Sequence, residues 1–308
     1  MRRAAPISTR GPCAARSRCE ASAAVAAGGA VSEQAGPQNE TFAANRAAGT
    51  IRLGVGLREG VSRRTRVFEQ GSLRVRFPTT ARPSPDLEAV IVNTAGGIAG
   101  GDTADVDIAV EDGASLRVTT SSAEKVYRSP GAAATMAVRL KVGSGASLAW
   151  MPREMILFDR ARLERTIEIE LAENARLLLA EAVVFGRSGM NEEVREGWFS
   201  DRWRVRRAGR LVYAETIRLD GAIAETLREP AVTNGGVAIA IILLMPADEA
   251  FVAALRACEG LRGEVGASSW NGITAVRFCA PDGESLRHDL MTALTVALSG
   301  PLPPLWLN

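Results

Sequence analysis

Ile108-Ala-Val-Glu-Asp-Gly-Ala-Ser-Leu116 decides the fold, because the chain repeats it as Leu140-Lys-Val-Gly-Ser-Gly-Ala-Ser-Leu148 and Ile169-Glu-Leu-Ala-Glu-Asn-Ala-Arg-Leu177. Each copy is a strand end, a two-residue step, then Gly or Asn, Ala, a variable residue and a Leu that opens the next strand. Gly113, Gly145 and Asn174 fall in one column. Glycine and asparagine best tolerate left-handed backbone, which costs other residues about 1–2 kcal/mol. The chain is therefore expected to turn at the same point in each copy. The copies recur about every thirty residues, a period of stacked supersecondary units. The fold expected is mainly β: a β-helix-like stack of short sheets. Shorter echoes stand at Gly71-Ser-Leu73 and Gly209-Arg-Leu211.

Just upstream, Asn93-Thr-Ala-Gly-Gly-Ile-Ala-Gly-Gly-Asp102 separates two strand-like segments, residues 88–92 and 103–110. In the second segment Val106, Ile108 and Val110 recur at every other position, the period of a half-buried strand. A phosphate-binding loop needs a helix there. Gly96, Gly97, Gly100 and Gly101 also miss the G-x-G-x-x-G spacing, and Asp102 stands where a P-loop has its lysine. These glycines are expected to serve a tight strand-to-strand connection.

Alternation extends towards the N-terminus through Ile51, Leu53 and Val55, then Leu73, Val75 and Phe77, with a proline-containing loop at 78–85. Towards the C-terminus, residues 237–245 are continuously apolar but well short of the roughly 20 residues that span a bilayer, so they read as a buried strand. Two amphipathic helices close the chain. Phe251, Leu255 and Cys258 share one face; Leu286, Leu290, Leu294 and Ala297 share another, before Gly300-Pro301. Residues 1–49, rich in Ala, Arg, Ser and Gly, are expected to be a disordered extension. Residues 50–308 are expected to form a single β domain carrying the two C-terminal helices.

Lys+Arg 37 nearly balance Asp+Glu 35, which argues against a nucleic-acid binder working through a basic surface. Cys13, Cys19, Cys258 and Cys279 form neither a disulfide framework nor a C-x-x-C zinc pair, so a reducing cytoplasm is expected. The single histidine, His288, lies on the helix side away from Leu286, Leu290 and Leu294. A Ser/His/Asp arrangement through Ser121 or Ser122, or a histidine metal cage, has no support in this spacing.

Three further stretches concentrate charge. Glu124-Lys-Val-Tyr-Arg128 follows a strand; Pro152-Arg-Glu-Met-Ile-Leu-Phe-Asp159 sets Glu154 and Asp159 around an apolar segment; Gly186-Arg-Ser-Gly-Met-Asn-Glu-Glu193 is a glycine-flanked turn. A carboxylate beside apolar residues needs a partner or a metal. Salt bridges to Arg128, Arg153, Arg160 and Arg187 are the plainer role for these acids.

Taken together, the stretches ending at Asp102, Ser129, Asp159, Glu193 and Glu215 come in the order and approximate spacing of the urease accessory protein UreD family, called UreH in some organisms. The resemblance covers about residues 50–308. It implies a mostly β helical stack with two helices and a non-enzymatic maturation factor for a nickel enzyme. It further implies partners UreF, the GTPase UreG and apo-urease, no tightly bound cofactor, and nickel in transit towards a carbamylated-lysine dinuclear site in urease. On that basis Asp102, Glu154, Asp159 and Glu193 are the candidate carboxylates of a nickel path, where oxygen ligands hold a divalent ion weakly enough to release it. Gly96, Gly97, Gly100, Gly101, Glu124, Lys125, Arg128, Gly186 and Arg187 are the motif residues. Leu302, Leu305 and Trp306, on an apolar end with no evident core to enter, are candidates for partner contact. The alternative reading is a β-helical carbohydrate-binding or carbohydrate-active protein, for which neither paired carboxylates in a cleft nor a secretion signal is identifiable.

Overall fold

The computed structural model describes residues 46–79, 86–298 and 302–307. The expected disordered segment before Arg46, most of the proline-containing loop and the Gly300-Pro301 helix stop lie outside them. The described residues open with an antiparallel hairpin, β1 (Ala48–Arg58) and β2 (Val61–Gly71), followed by β3 (Leu73–Arg76) and β4 (Leu87–Asn93). Three coils then wind. The first contains β5 (Thr103–Val110), β6 (Ser115–Thr120) and β7 (Glu124–Val126), and the second β8 (Ala134–Val142), β9 (Ser147–Trp150) and β10 (Met155–Leu157). The third contains β11 (Arg162–Leu171) and the long β12 (Arg176–Phe185). The last part comprises β13 (Gly197–Arg207), β14 (Arg210–Gly221), a short helix α1 (Ile223–Arg228), β15 (Ala238–Met245), α2 (Glu249–Arg256), β16 (Glu264–Trp270), β17 (Ile273–Ala280) and α3 (Gly283–Leu298).

Like strands of successive coils pair in parallel. The first sheet has the order β14-β13-β11-β8-β5-β1-β2, and the second β16-β17-β15-β12-β9-β6-β4-β3. A narrow third face joins β7, β10 and the end of β12. The expected β-helix-like stack is thus present, with β1 starting at Ala48.

Register turns the sequence alternation into columns. Ile51, Val106, Val138, Ile167 and Trp203 line up across five strands of the first sheet, and all are buried. One position on, Arg52, Asp107, Arg139, Glu168 and Arg204 line up on the outer face with alternating sign. Opposite charges directly across a sheet are the favourable pairing. Arg139 accordingly donates to both Asp107 and Asp105.

At the corners between the first and second faces, Gly113 and Gly145 take φ of +70 and +63. Asn174 does not adopt left-handed backbone. Its side-chain oxygen instead accepts from the Gly145 N–H at 2.9 Å and the Ser144 hydroxyl at 3.0 Å, tying one corner to the next. The echo at Gly209 proves to be a hairpin turn between β13 and β14, and Gly71 ends β2.

Two apolar cores follow. One fills the space between the sheets; the other lies between the outer face of the second sheet and the helices α2 and α3. Asp248 caps α2 by accepting from the Phe251 N–H at 2.8 Å, and Phe251, Val252 and Leu255 are buried. In α3, Leu286, Leu290 and Leu294 are buried while His288 is exposed. Helix α1, with Ile223 and Leu227 buried, is additional to the two helices expected.

The C-terminal tail corrects one expectation. Leu302 and Trp306 are 7% and 1% exposed and belong to the second core. The Trp306 indole donates to the Met151 carbonyl at 3.2 Å, and Arg153 donates to the Leu305 carbonyl while lying over the Trp306 ring. This apolar end does have a core to enter, which removes the reason for assigning Leu302, Leu305 and Trp306 to a partner. Trp306→Ala is expected to cost about 3–5 kcal/mol, measured by denaturant unfolding; an unchanged midpoint would show that the tail is not held there.

Candidate functional site

Four of the charged and glycine-rich stretches meet at one corner of the coil. Val126, Leu157 and Phe185 are in register, so the residues that follow them, Tyr127, Phe158 and Gly186, are stacked along the coil axis. Tyr127 and Phe158 pack edge to face at 5.1 Å, and the Arg187 guanidinium lies 4.0 Å from the Phe158 ring centroid while pairing with Glu192. The glycine-rich loop closes over this column. The Tyr127 hydroxyl donates to the Gly96 carbonyl at 3.0 Å, and any side chain at Gly97, φ +153, would strike Tyr127. Tyr127, Arg128, Phe158, Asp159, Arg187 and Glu192 line a half-open groove of about 370 Å³. Beside it, Glu124 accepts from the Asn93 amide at 3.1 Å, and burial pushes its carboxyl up to about 7.

A larger cavity, about 540 Å³, lies between the sheets where β13 and β14 face β15, β17 and β16. Its floor is an ion cluster. Arg165 grips Asp201 with two nitrogens at 2.9 and 2.6 Å and reaches Glu181 with the third; Glu181 also accepts from the Trp150 indole at 2.7 Å. Arg165, Glu181 and Asp201 are 3%, 5% and 1% exposed. Burial raises the Glu181 carboxyl, with Arg165 opposing. Burial works against the Arg165 charge, but Asp201 and Glu181 outweigh it and hold the guanidinium ionised.

At the mouth, Glu215 accepts from the Tyr213 hydroxyl at 2.7 Å and pairs with Arg277. Glu264 and Cys279 complete the wall. Burial and then Glu264 push the Cys279 thiol up, so it remains protonated. Glu181, Asp201, Glu215 and Glu264 thus face only two cations, Arg165 and Arg277. The cavity favours positive charge.

The model of the UreD urease accessory protein family matches this chain over residues 47–306, nearly the whole of the fold just described. The chain belongs to the UreD family. The urease accessory protein UreD of Rhodopseudomonas palustris strain HaA2 is 53% identical over 277 residues, covering 90% of this chain and 99% of that protein. UreD 1 of Bradyrhizobium sp. strain ORS 278 is 51% identical over 271 residues, covering 87% and 96%. UreD of Bradyrhizobium diazoefficiens strain USDA 110 is 53% identical over 268 residues, again covering 87% and 96%.

In this UreD chain the four carboxylates expected on a metal path stand apart, each with a local partner. Asp102 is buried, and its two oxygens accept from the Ala47 and Ala99 N–H groups at 2.8 and 2.7 Å. Asp159 accepts from the N–H groups of Arg195 and Glu196 and lies 3.9 Å from Arg160. Glu154 pairs with Arg153 at 3.3 Å, and exposed Glu193 pairs with Arg228. Among the described residues no three His, Cys, Asp or Glu side chains are grouped to hold a metal ion, and no helix is long and apolar enough to cross a membrane. Of the motif glycines, Gly96, Gly97, Gly101 and Gly186 take positive φ. Gly100 does not, but a side chain there would strike Ser129. Lys125 and Arg128 are exposed, and Arg187 joins the aromatic column.

The charged residues of the UreD cavity were missed, although the pattern marks them. Arg165 interrupts the inward positions Leu163, Ile167 and Ile169 of β11; Asp201 interrupts Phe199, Trp203 and Val205 of β13; Glu181 sits within the apolar run of β12. Three charges at inward positions imply one buried cluster.

Arg165→Met strands two buried carboxylates and is expected to cost about 3–5 kcal/mol, read by denaturant unfolding. Glu124 gives a pH test. Its folded value lies above the unfolded one, so its contribution to stability is full below about 4.5 and is lost as pH rises through about 7. Comparing melts at pH 5 and 8, Glu124→Gln should remove a loss of about 2 kcal/mol, a figure discounted for partial solvent access. Parallel pH profiles for the two proteins would refute this assignment.

Proposed function

We propose that this UreD chain is a cytoplasmic, non-catalytic scaffold of urease maturation that acts with UreF and UreG to deliver nickel to apo-urease and assemble its dinuclear centre. The observation that carries the reading is the family match over residues 47–306, supported by relatives named as urease accessory proteins at 51–53% identity. The architecture suits such work, because stacked coils form a stiff body that presents extended faces to other proteins.

For nickel we favour the cavity between the sheets over Asp102, Glu154, Asp159 and Glu193, because those four stand apart from one another while the cavity gathers several carboxylates around one space. The cavity is acidic in balance, and its mouth carries Glu215 and Glu264. Carboxylate oxygens bind nickel more weakly than imidazole or thiolate, which suits a cargo that must be released.

The test is a reconstitution of apo-urease, UreF, UreG, GTP and nickel with and without this chain, reading nickel bound to urease and urea hydrolysis. Loading is expected to depend on the chain. The Glu215→Gln, Glu264→Gln double variant, shown to be folded by circular dichroism, should load several-fold more slowly. Full loading without the chain would sink the proposed function; full loading with the double variant would sink only the route.

A further inference from the structure

The first sheet ends on an open strand edge. In the order β14-β13-β11-β8-β5-β1-β2, β2 pairs with β1 on one side, and among the described residues no main chain pairs with its other side. Both ends of β2 are fastened. The Ser62 hydroxyl accepts from the Ser115 N–H at 2.8 Å, and the Glu69 carboxylate accepts from the Val75 N–H and pairs with Arg76 at 3.1 Å. Between these anchors Arg63, Arg64, Thr65, Arg66, Val67 and Phe68 are all exposed. They hold about 20 Å of main chain extended and accessible along one edge.

This edge carries charge that its own fold does not answer. Among the described residues Arg63, Arg64 and Arg66 have no carboxylate within ion-pairing distance, whereas Arg52 reaches Asp107, and Arg74 and Arg76 reach Glu69. The register divides the stretch between two faces. Arg63, Arg66 and Phe68 stand opposite Gly56, Gly54 and Arg52 on the outer face, while Arg64 and Val67 stand opposite the core residues Val55 and Leu53. Val67 and Phe68 are each 42% exposed. Cationic side chains therefore come first and apolar ones follow along a single free edge. Neighbouring like charges repel one another, so within the isolated chain the three arginines serve only to guard the edge against stray pairing.

We propose that the free edge of β2 receives an extended acidic segment of a partner protein as an added strand, its main chain pairing along Arg63–Phe68 and its carboxylates meeting Arg63, Arg64 and Arg66. Strand addition draws its affinity from main-chain hydrogen bonds and its selectivity from the side chains beside them. Here that selectivity calls for acidic residues at the Arg63 end and apolar residues against Val67 and Phe68. Charge complementarity excludes two nearer occupants. A second copy would set these arginines against their own kind, and the residues before Arg46 carry more arginine than glutamate. The edge is already extended and fastened at both ends, so little ordering of this chain opposes the docking. The site is separate from the cavity carboxylates; only the identity of the proteins used in the test rests on the proposed function.

The test uses the Arg63→Glu, Arg64→Glu, Arg66→Glu triple variant of the full chain, with the corresponding triple lysine variant as its control. Both are checked for folding by circular dichroism, and affinities for purified UreF, UreG and apo-urease are measured. The glutamate variant is expected to bind one of the three about tenfold or more weakly, and the lysine variant to keep most of the wild-type affinity. Added salt should weaken the wild-type complex. Hydrogen exchange in that complex should show new protection of amides within Arg63–Phe68, which charge attraction without strand pairing would not produce; its absence overturns the inference. Unchanged affinities in a glutamate variant that self-associates would show that the arginines only guard the edge, and would overturn it as well. So would wild-type binding to a single-stranded DNA oligonucleotide that is tighter than to any of the three proteins and is abolished by the charge reversal. Wild-type protein that captures none of the three overturns the proposed function and this inference together, whereas failure confined to the variants or to the exchange pattern overturns this inference alone.

Discussion

The parallel ladder between successive coils is the constraint on which the rest depends. Each strand hydrogen-bonds to the like strand of the next coil, so a residue type that suits one position must suit the whole column. Ile51, Val106, Val138, Ile167 and Trp203 fill one inner column, and the alternating charges from Arg52 to Arg204 fill the outer column beside it. A one-residue slip between coils would bring the charges inside. Register is therefore held from both faces, by burial on one and by ion pairing on the other.

The same constraint explains where the cavity opens. The corners around Gly113, Gly145 and Asn174 hold the first and second sheets together coil by coil. After β12 that connection ends: β13 turns back as β14, and the second sheet continues through β15, β17 and β16 with antiparallel pairing. No coil corner spans the sheets there, and the gap is bridged by Arg165, which joins Asp201 on its own sheet to Glu181 on the other. One ion cluster takes over the role of a turn. Charged side chains at inward positions can survive here because each satisfies the others.

The stack, its period and the helices α2 and α3 were legible in the sequence because each rests on local pattern: alternation, glycine at a corner, an apolar stripe at helical spacing. Asn174 shows the limit of that reading. Its type suited left-handed backbone, yet it acts through its side chain, a choice fixed by the neighbouring coil rather than by its own residue. The tail was misread for a related reason, since Trp306 is received by Met151 and Arg153, about half the chain away. Of the candidate site, the stretches that meet around Tyr127 and Phe158 were recognisable as motifs, but their meeting was not, because only stacking puts residues about thirty positions apart side by side. The cavity cluster was written into the alternation as charges out of phase, and joining Arg165, Glu181 and Asp201 into one group required the pairing of three strands.

The direction of the strands at the two extremes of the stack has its own consequence. Parallel coils invite another parallel coil, and a solenoid with bare ends is a template for end-to-end polymerisation. Here the ladder reverses at every extreme: β2 runs antiparallel to β1, β3 to β4, β14 to β13 and β16 to β17. A copy arriving with its own coil meets a strand running against the repeat, and at β2 it also meets exposed Arg63, Arg64 and Arg66. The parallel repeat that makes the body stiff is thereby confined to the interior of each sheet.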